Sequence, residues 1–164
     1  MGQCVSAISS PSSIVAETTG GEAQYHSRFI EDKTLGEGEF GVVKLVQDIT
    51  SSSTKFFAVK KLKKGITFKD NTLYYPLKPE ILRGECEILR LLAGKHFNLN
   101  LVEVYESTQF IWLVTEYCAG GDMVTWVSQR RADELSVATV SRVAYQLLDA
   151  VAHCHAHGVI HRDI

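Results

Sequence analysis

The stretch Leu35-Gly36-Glu37-Gly38-Glu39-Phe40-Gly41-Val42-Val43 constrains this chain more than any other. Three glycines at the spacing G-x-G-x-x-G occur in several phosphate-binding designs, so the residues that follow decide the reading. In a dinucleotide-binding unit the glycines open a helix. Here they lead into Val42, Val43, Lys44, Leu45 and Val46. β-branched side chains lose rotamer freedom in a helix and fit a pleated surface. The pattern is therefore strand, glycine turn, strand. The ATPase phosphate loop is excluded, because Gly41 is followed by Val42 and not by Lys-Ser/Thr. A glycine hairpin can act as a lid over phosphates, since without Cβ atoms its N–H groups approach an anion closely. An ordinary glycine-rich hairpin fits this stretch equally well.

The remaining 164-residue sequence narrows the choice. A net charge of -2 gives no footprint for nucleic acid. The four cysteines, at 4, 86, 118 and 154, form no C-x-x-C pair and no disulfide framework, so a reducing cytosol is the expected setting. No apolar run is long enough to span a bilayer. Residues 1–27 are poor in large apolar side chains and are expected to form a flexible tail. That tail begins Met1-Gly2-Gln3-Cys4-Val5-Ser6, which fits the myristoylation pattern M-G-x-x-x-[ST] on Gly2. One myristoyl chain anchors only marginally. No Lys or Arg precedes Arg28, so palmitoylation of Cys4 is the second attachment the sequence offers. Membrane association through this acylated start is the expectation.

Period-two alternation predicts strands over 29–35, 42–47, 55–62, 101–106 and 110–116. The third carries Phe56-Phe57-Ala58-Val59-Lys60-Lys61. Successive strand residues face opposite sides, so Lys60 and Lys61 cannot both point outward. Whichever lysine turns inward is costly unless an anion or carboxylate meets it. Residues 63–78 read as a polar connection. Helical spacing follows over 79–93, with Pro79 as the first helical residue and Gly94 as the stop. Glu85 stands amid the apolar face of that helix, either as an edge carboxylate or as the partner of the strand lysine. Asp122 fits a helix N-cap before a short segment at 123–129, and Ser136 caps a longer helix at 137–157. The apolar stripe of that helix, including Val140, Leu147, Leu148 and Val151, expects partner helices. His153 and His157 stand four residues apart, but no carboxylate completes a metal set and helix-end imidazoles ordinarily cap or pack.

The ordered set Gly36-x-Gly38-x-x-Gly41-x-Val43, Ala58-Val59-Lys60, a helix bearing Glu85, a strand ending Thr115-Glu116, and His161-Arg162-Asp163 resembles the eukaryotic protein kinase domain. The resemblance runs from about Tyr25 to Ile164. It implies an α+β fold: a small lobe of five antiparallel strands plus one helix over 28–116, then the hinge and an incomplete, helical large lobe over 117–164. By the same resemblance, Gly36, Glu37, Gly38 and Gly41 would cover the phosphates of ATP. Lys60 would bind the α- and β-phosphates and pair with Glu85. Val43 and Ala58 would line the adenine pocket, and Thr115 resembles the gatekeeper. Glu116 and Cys118 would offer hinge backbone, and Asp122 would hold the ribose. Asp163 would orient the protein substrate's hydroxyl and accept its proton.

The resemblance has departures. The family's His-Pro-Asn-Ile-Val appears here as His96-Phe97-Asn98-Leu99-Asn100-Leu101-Val102, two residues longer and without proline. The connection before the Glu85 helix is long. The residues with which the family holds Mg²⁺, a catalytic-loop Asn and a D-F-G aspartate, lie beyond Asp163 in the family and are not present here. The expectation is an N-terminal part of an ATP-dependent kinase of the Ser/Thr type, inactive or nearly so by itself. Gly120-Gly121-Asp122 and the acylated start loosely resemble calcium-regulated kinases. The alternative is a non-catalytic, acylated interaction module that binds nucleotide weakly.

Overall fold

The computed structural model describes residues 18–38, 41–64, 67–69, 72–74, 79–94, 96–131, 134–162 and 164. Its centre is a five-stranded antiparallel sheet. The strands are β1 (Phe29–Gly38), β2 (Gly41–Asp48), β3 (Lys55–Lys63), β6 (Leu101–Glu106) and β7 (Phe110–Glu116), in the order β1-β2-β3-β7-β6. All five match the strands expected from alternation, with ends moved by at most a few residues.

Two separate cores lie on the two faces of the sheet, and β3, β6 and β7 send alternate side chains to both. One core holds Leu62, Val104, Ile111 and Leu113 against Leu82 and Cys86 of helix α2 (Pro79–Leu92). Burial there pushes the Cys86 thiol up to about 11, which keeps it a neutral, inert side chain. The second core holds Phe29, Val46, Val59, Tyr105, Trp112 and Val114 on the opposite face.

What covers that second face corrects the sequence reading. Residues 1–27 were expected to carry no packed structure, yet helix α1 (Glu22–Arg28) begins among them. Its Tyr25 is fully buried. The ring stacks on Trp112 at 5.1 Å between centroids and meets Tyr105 edge-on at 5.8 Å. The Tyr25 hydroxyl donates to Glu31 Oε1 at 3.3 Å. One aromatic ring among small polar residues carries no periodic signal, but it buries enough area to order a short segment. The entry to α1 is pinned along β6, where Thr19 N–H donates to the Val104 carbonyl and Glu106 N–H to the Gly20 carbonyl. Its exit is pinned by Arg28, whose Nε donates to Asp48 Oδ2 at 3.0 Å and whose Nη1 donates to Glu103 Oε1 at 2.6 Å. Burial opposes ionisation of Asp48. The Thr50 hydroxyl and N–H and the Arg28 guanidinium outweigh it and hold the carboxyl below its usual range.

A second correction concerns 63–78. Within what was read only as a polar connection, Thr67–Lys69 (β4) and Thr72–Tyr74 (β5) pair as a small antiparallel ribbon. The β-prone types Thr, Phe, Leu and Tyr, flanking turn-prone Asp70-Asn71, account for it.

Beyond the sheet the described chain is helical. Asp122 caps α3 (Met123–Ser128) by accepting from Thr125 N–H at 2.7 Å, and Ser136 caps α4 (Val137–Ala156) by accepting from Thr139 N–H at 3.2 Å. On the apolar stripe of α4, Val140, Leu147 and Leu148 are exposed. No helix among the described residues is long and apolar enough to cross a membrane.

Because Tyr25 is the buried side chain of α1, Tyr25→Ala should destabilise the chain by about 3 kcal/mol in chemical denaturation. A change below about 0.5 kcal/mol would mean that α1 merely touches the sheet.

Candidate nucleotide site

β3 settles the question of its two lysines by using both faces. Lys61 lies on the α1 side, its Nζ 4.3 Å from the Phe110 ring centroid and 5.4 Å from that of Trp112. Lys60 lies on the α2 side, where its Nζ is 2.5 Å from Glu85 Oε1. An ammonium over aromatic faces and an ammonium on a carboxylate are both compensated. The Lys60 and Glu85 side chains remain 35% and 30% exposed. Solvent therefore screens the pair, and its contribution to folding is at most about 1 kcal/mol.

Register extends this point into a patch. Val43 stands opposite Lys60 across β2 and β3, and Ala58 stands opposite Thr115 across β3 and β7. Residues directly opposite share a face, as do residues two apart on one strand. Val43, Ala58, Lys60 and Thr115 thus form one continuous surface on the side where Glu85 arrives. Thr115 is buried, and its hydroxyl donates to the Ala58 carbonyl at 3.2 Å.

The glycine hairpin adjoins this surface. β1 pairs with β2 through Gly36↔Val43, Glu37↔Val42 and Gly38↔Gly41, and the turn residues 39–40 lie outside the described residues. Its three glycines are not equivalent. A Cβ on Gly41 would meet the Lys61 carbonyl oxygen at 2.2 Å, so the fold itself demands glycine there. A Cβ on Gly36 or Gly38 would meet nothing within 4 Å, and neither residue has a positive φ. Packing among the described residues gives no reason for glycine at 36 and 38.

The residues after β7 are arranged differently. Glu116 is exposed; its N–H donates to the Asn100 carbonyl at 3.1 Å, and its Oε1 accepts from Asn100 N–H at 2.7 Å. Cys118 is exposed, and its carbonyl accepts from Gly121 N–H at 3.2 Å. Asp122 serves first as the cap of α3. Hydrogen bonds from the Thr125 N–H and hydroxyl hold its carboxyl below the usual range. It also lines a cavity of about 450 Å³ with Met123, Trp126 and Arg142, to which no strand contributes. Asp163, Gly2 and Cys4 lie outside the described residues. Arg162, next to Asp163, has φ 71°, a conformation uncommon for a bulky side chain.

The structure therefore gathers Val43, Ala58, Lys60, Glu85 and Thr115 beside the glycine strands and leaves Asp122 on a separate helix start. In the sequence, residues 96–102 stood out only as a departure from the family's pattern. There His96 and Phe97 both have positive φ, at 49° and 59°, and no residue type announces it.

The comparisons agree with this geometry. The family model described as protein kinase domain matches residues 29–164. Calcium-dependent protein kinase 24 of Arabidopsis thaliana is 35% identical over 156 residues, covering 94% of this chain and 24% of its own length. Serine/threonine-protein kinase SIK2 of Gallus gallus is 31% identical over 133 residues, covering 81% of this chain and 15% of its own. The carbon catabolite-derepressing protein kinase of Saccharomyces cerevisiae is 36% identical over 132 residues, covering 80% and 19%. The chain belongs to the protein kinase family, and it spans less than a quarter of the length of these relatives.

The glycine geometry predicts an asymmetry. Gly41→Ala should lower stability by about 1–3 kcal/mol, while Gly36→Ala and Gly38→Ala stay within about 1 kcal/mol of the parent chain. Equal losses at all three positions in thermal denaturation would contradict the distinction.

Proposed function

We propose that this chain supplies the ATP-binding lobe and hinge of a kinase that transfers the γ-phosphate of ATP to Ser or Thr hydroxyls of proteins. The observation that carries the reading is the half-exposed Lys60–Glu85 pair, on one face with Val43, Ala58 and Thr115 and beside two glycines that packing does not require. A pair of that exposure adds little to folding, so its placement suits a charge kept ready for an anion. Lys60 would neutralise the α- and β-phosphates, with Glu85 fixing the ammonium in position. N–H groups of the strands carrying Gly36, Glu37, Gly38 and Gly41 would cover the phosphates. Val43 and Ala58 would contact adenine, with Thr115 at the back and the backbone of 116–118 at its edge. Asp122 uses one lone pair on each carboxylate oxygen for its cap and keeps others that a ribose hydroxyl can engage. Asp163 would orient the substrate hydroxyl and accept its proton.

The family uses Mg²⁺ with ATP. Among the described residues no group of three or more His, Cys, Asp or Glu side chains could hold a metal ion.

Lys60→Met separates function from stability. It should leave the unfolding free energy within about 1 kcal/mol of the parent chain while weakening binding of a fluorescent ATP analogue by about tenfold or more. Undiminished nucleotide affinity would overturn the assignment.

The reading extends to the cell membrane. Gly2 fits a myristoylation site and Cys4 a palmitoylation site, and two acyl chains suffice for stable attachment where one does not. Both would place the protein at the cytoplasmic face of a membrane. Intact mass of the protein isolated from its source should show both acyl increments, and Gly2→Ala should remove it from the membrane fraction. Unmodified mass would sink this part.

A further inference from the structure

The family model matches from Phe29 onward, yet the segment before it packs on the sheet through α1. Tyr25 of that segment is fully buried, and its ring stacks on Trp112 at 5.1 Å between centroids with planes 25° apart. The Trp112 indole is itself fully buried, and its Nε1 has no hydrogen-bond partner among the described residues. A buried indole ordinarily finds such a partner. Without one, packing alone orients the ring, and Tyr25 supplies one wall of that packing. The Tyr25 hydroxyl reaches a second strand, donating to Glu31 Oε1 at 3.3 Å, and Glu31 Oε2 meets Lys44 Nζ at 2.9 Å. One side chain thus touches β7 and β1 directly, and β2 through a single carboxylate.

These contacts end on the residue next to the nucleotide face. Trp112 is the register partner of Lys61, whose Nζ lies 5.4 Å from the indole centroid. The Lys61 carbonyl is also the group that a Cβ on Gly41 would meet at 2.2 Å, so β3 and the glycine hairpin approach closely there. Lys60 is the next residue, on the opposite face with Glu85. The Lys60–Glu85 pair is open to water and contributes little to folding, so it cannot fix the place of its own strand. Packing on the α1 side has to do so. A displacement of β3 at Lys61 would reach Lys60 through the chain and the hairpin through Gly41.

We propose that Tyr25 is a positioning residue for nucleotide binding: by holding Trp112 against the α1 side of the sheet, it keeps Lys60 and the glycine hairpin in binding geometry on the other side. The inference rests on the reading of Lys60 as the phosphate-binding lysine. Docking of α1 and binding of nucleotide then favour one another, and by linkage each strengthens the other by the same factor. A segment outside the matched family region thereby sets the affinity of the site within it.

The test is affinity for a fluorescent ATP analogue, with amide hydrogen exchange measured in parallel on the whole chain. Tyr25→Ala should weaken analogue binding by about tenfold under conditions where circular dichroism shows the chain still folded. Tyr25→Phe keeps a ring on Trp112 and should restore affinity toward the parent value. In the parent chain, saturating analogue should slow exchange several-fold at the Glu106 amide, which donates to the Gly20 carbonyl, and leave the Val140 amide in α4 at its rate. Parent-like affinity in Tyr25→Ala would overturn the link. So would slowing at Glu106 no greater than at Val140, which marks general stabilisation alone. Should Tyr25→Ala fail to fold, the exchange comparison on the parent chain decides. A parent chain that binds no analogue would remove the nucleotide reading instead. The amides of residues 60–62 then judge whether α1 holds β3, with faster exchange in Tyr25→Ala supporting it and a parent-like rate overturning it.

Discussion

Two successive residues of a strand cannot face the same way, and β3 places two lysines in succession at the middle of a sheet covered on both sides. Each ammonium needs its own compensation. Lys61 finds it over the Phe110 and Trp112 rings, and Lys60 finds it on Glu85. The second solution requires α2 to lie across the sheet with Glu85 inward, and the Leu82–Cys86 side of that helix packs to keep it there. The first requires an aromatic platform on the opposite face, which Tyr25 of α1 completes. The register that separates the lysines also lines up Val43, Ala58 and Thr115 with Lys60.

The two faces divide labour by magnitude. The aromatic face buries whole rings, each worth about 2–3 kcal/mol of transfer free energy, and supports the fold. On the other face the Lys60–Glu85 pair is open to water and contributes little. A protein that needed this pair only for stability would gain more from an apolar contact at the same place. At Gly36 and Gly38, likewise, packing among the described residues does not call for glycine. Gly41 shows the contrast within one motif, since the carbonyl of Lys61 leaves no room there for a side chain.

Periodic features were legible in the sequence. The five strands, α2 and α4 follow from alternation and helical spacing, and the caps at Asp122 and Ser136 follow from side chains able to accept a backbone N–H. Non-periodic features were not. Tyr25 orders α1 through one ring whose partners, Tyr105 and Trp112, are far away in sequence. The β4–β5 ribbon is three residues a side, too short for a pattern. Residues 96–100 take their shape from Asp149, Cys154 and Glu116, which no local signal could couple to His96, Asn98 and Asn100. Of the candidate site, the strand and helix positions were legible because register brings them together. The place of Asp122 relative to them depends on how the chain leaves β7.

The central claim is that Lys60, and not its neighbour, faces bound nucleotide. Mass spectrometry of the chain after brief treatment with an amine-directed acylating reagent, with and without ATP, tests it directly. ATP should slow modification of Lys60 several-fold and leave Lys61 at its unliganded rate. Equal protection of both lysines, or none at Lys60, would contradict the account.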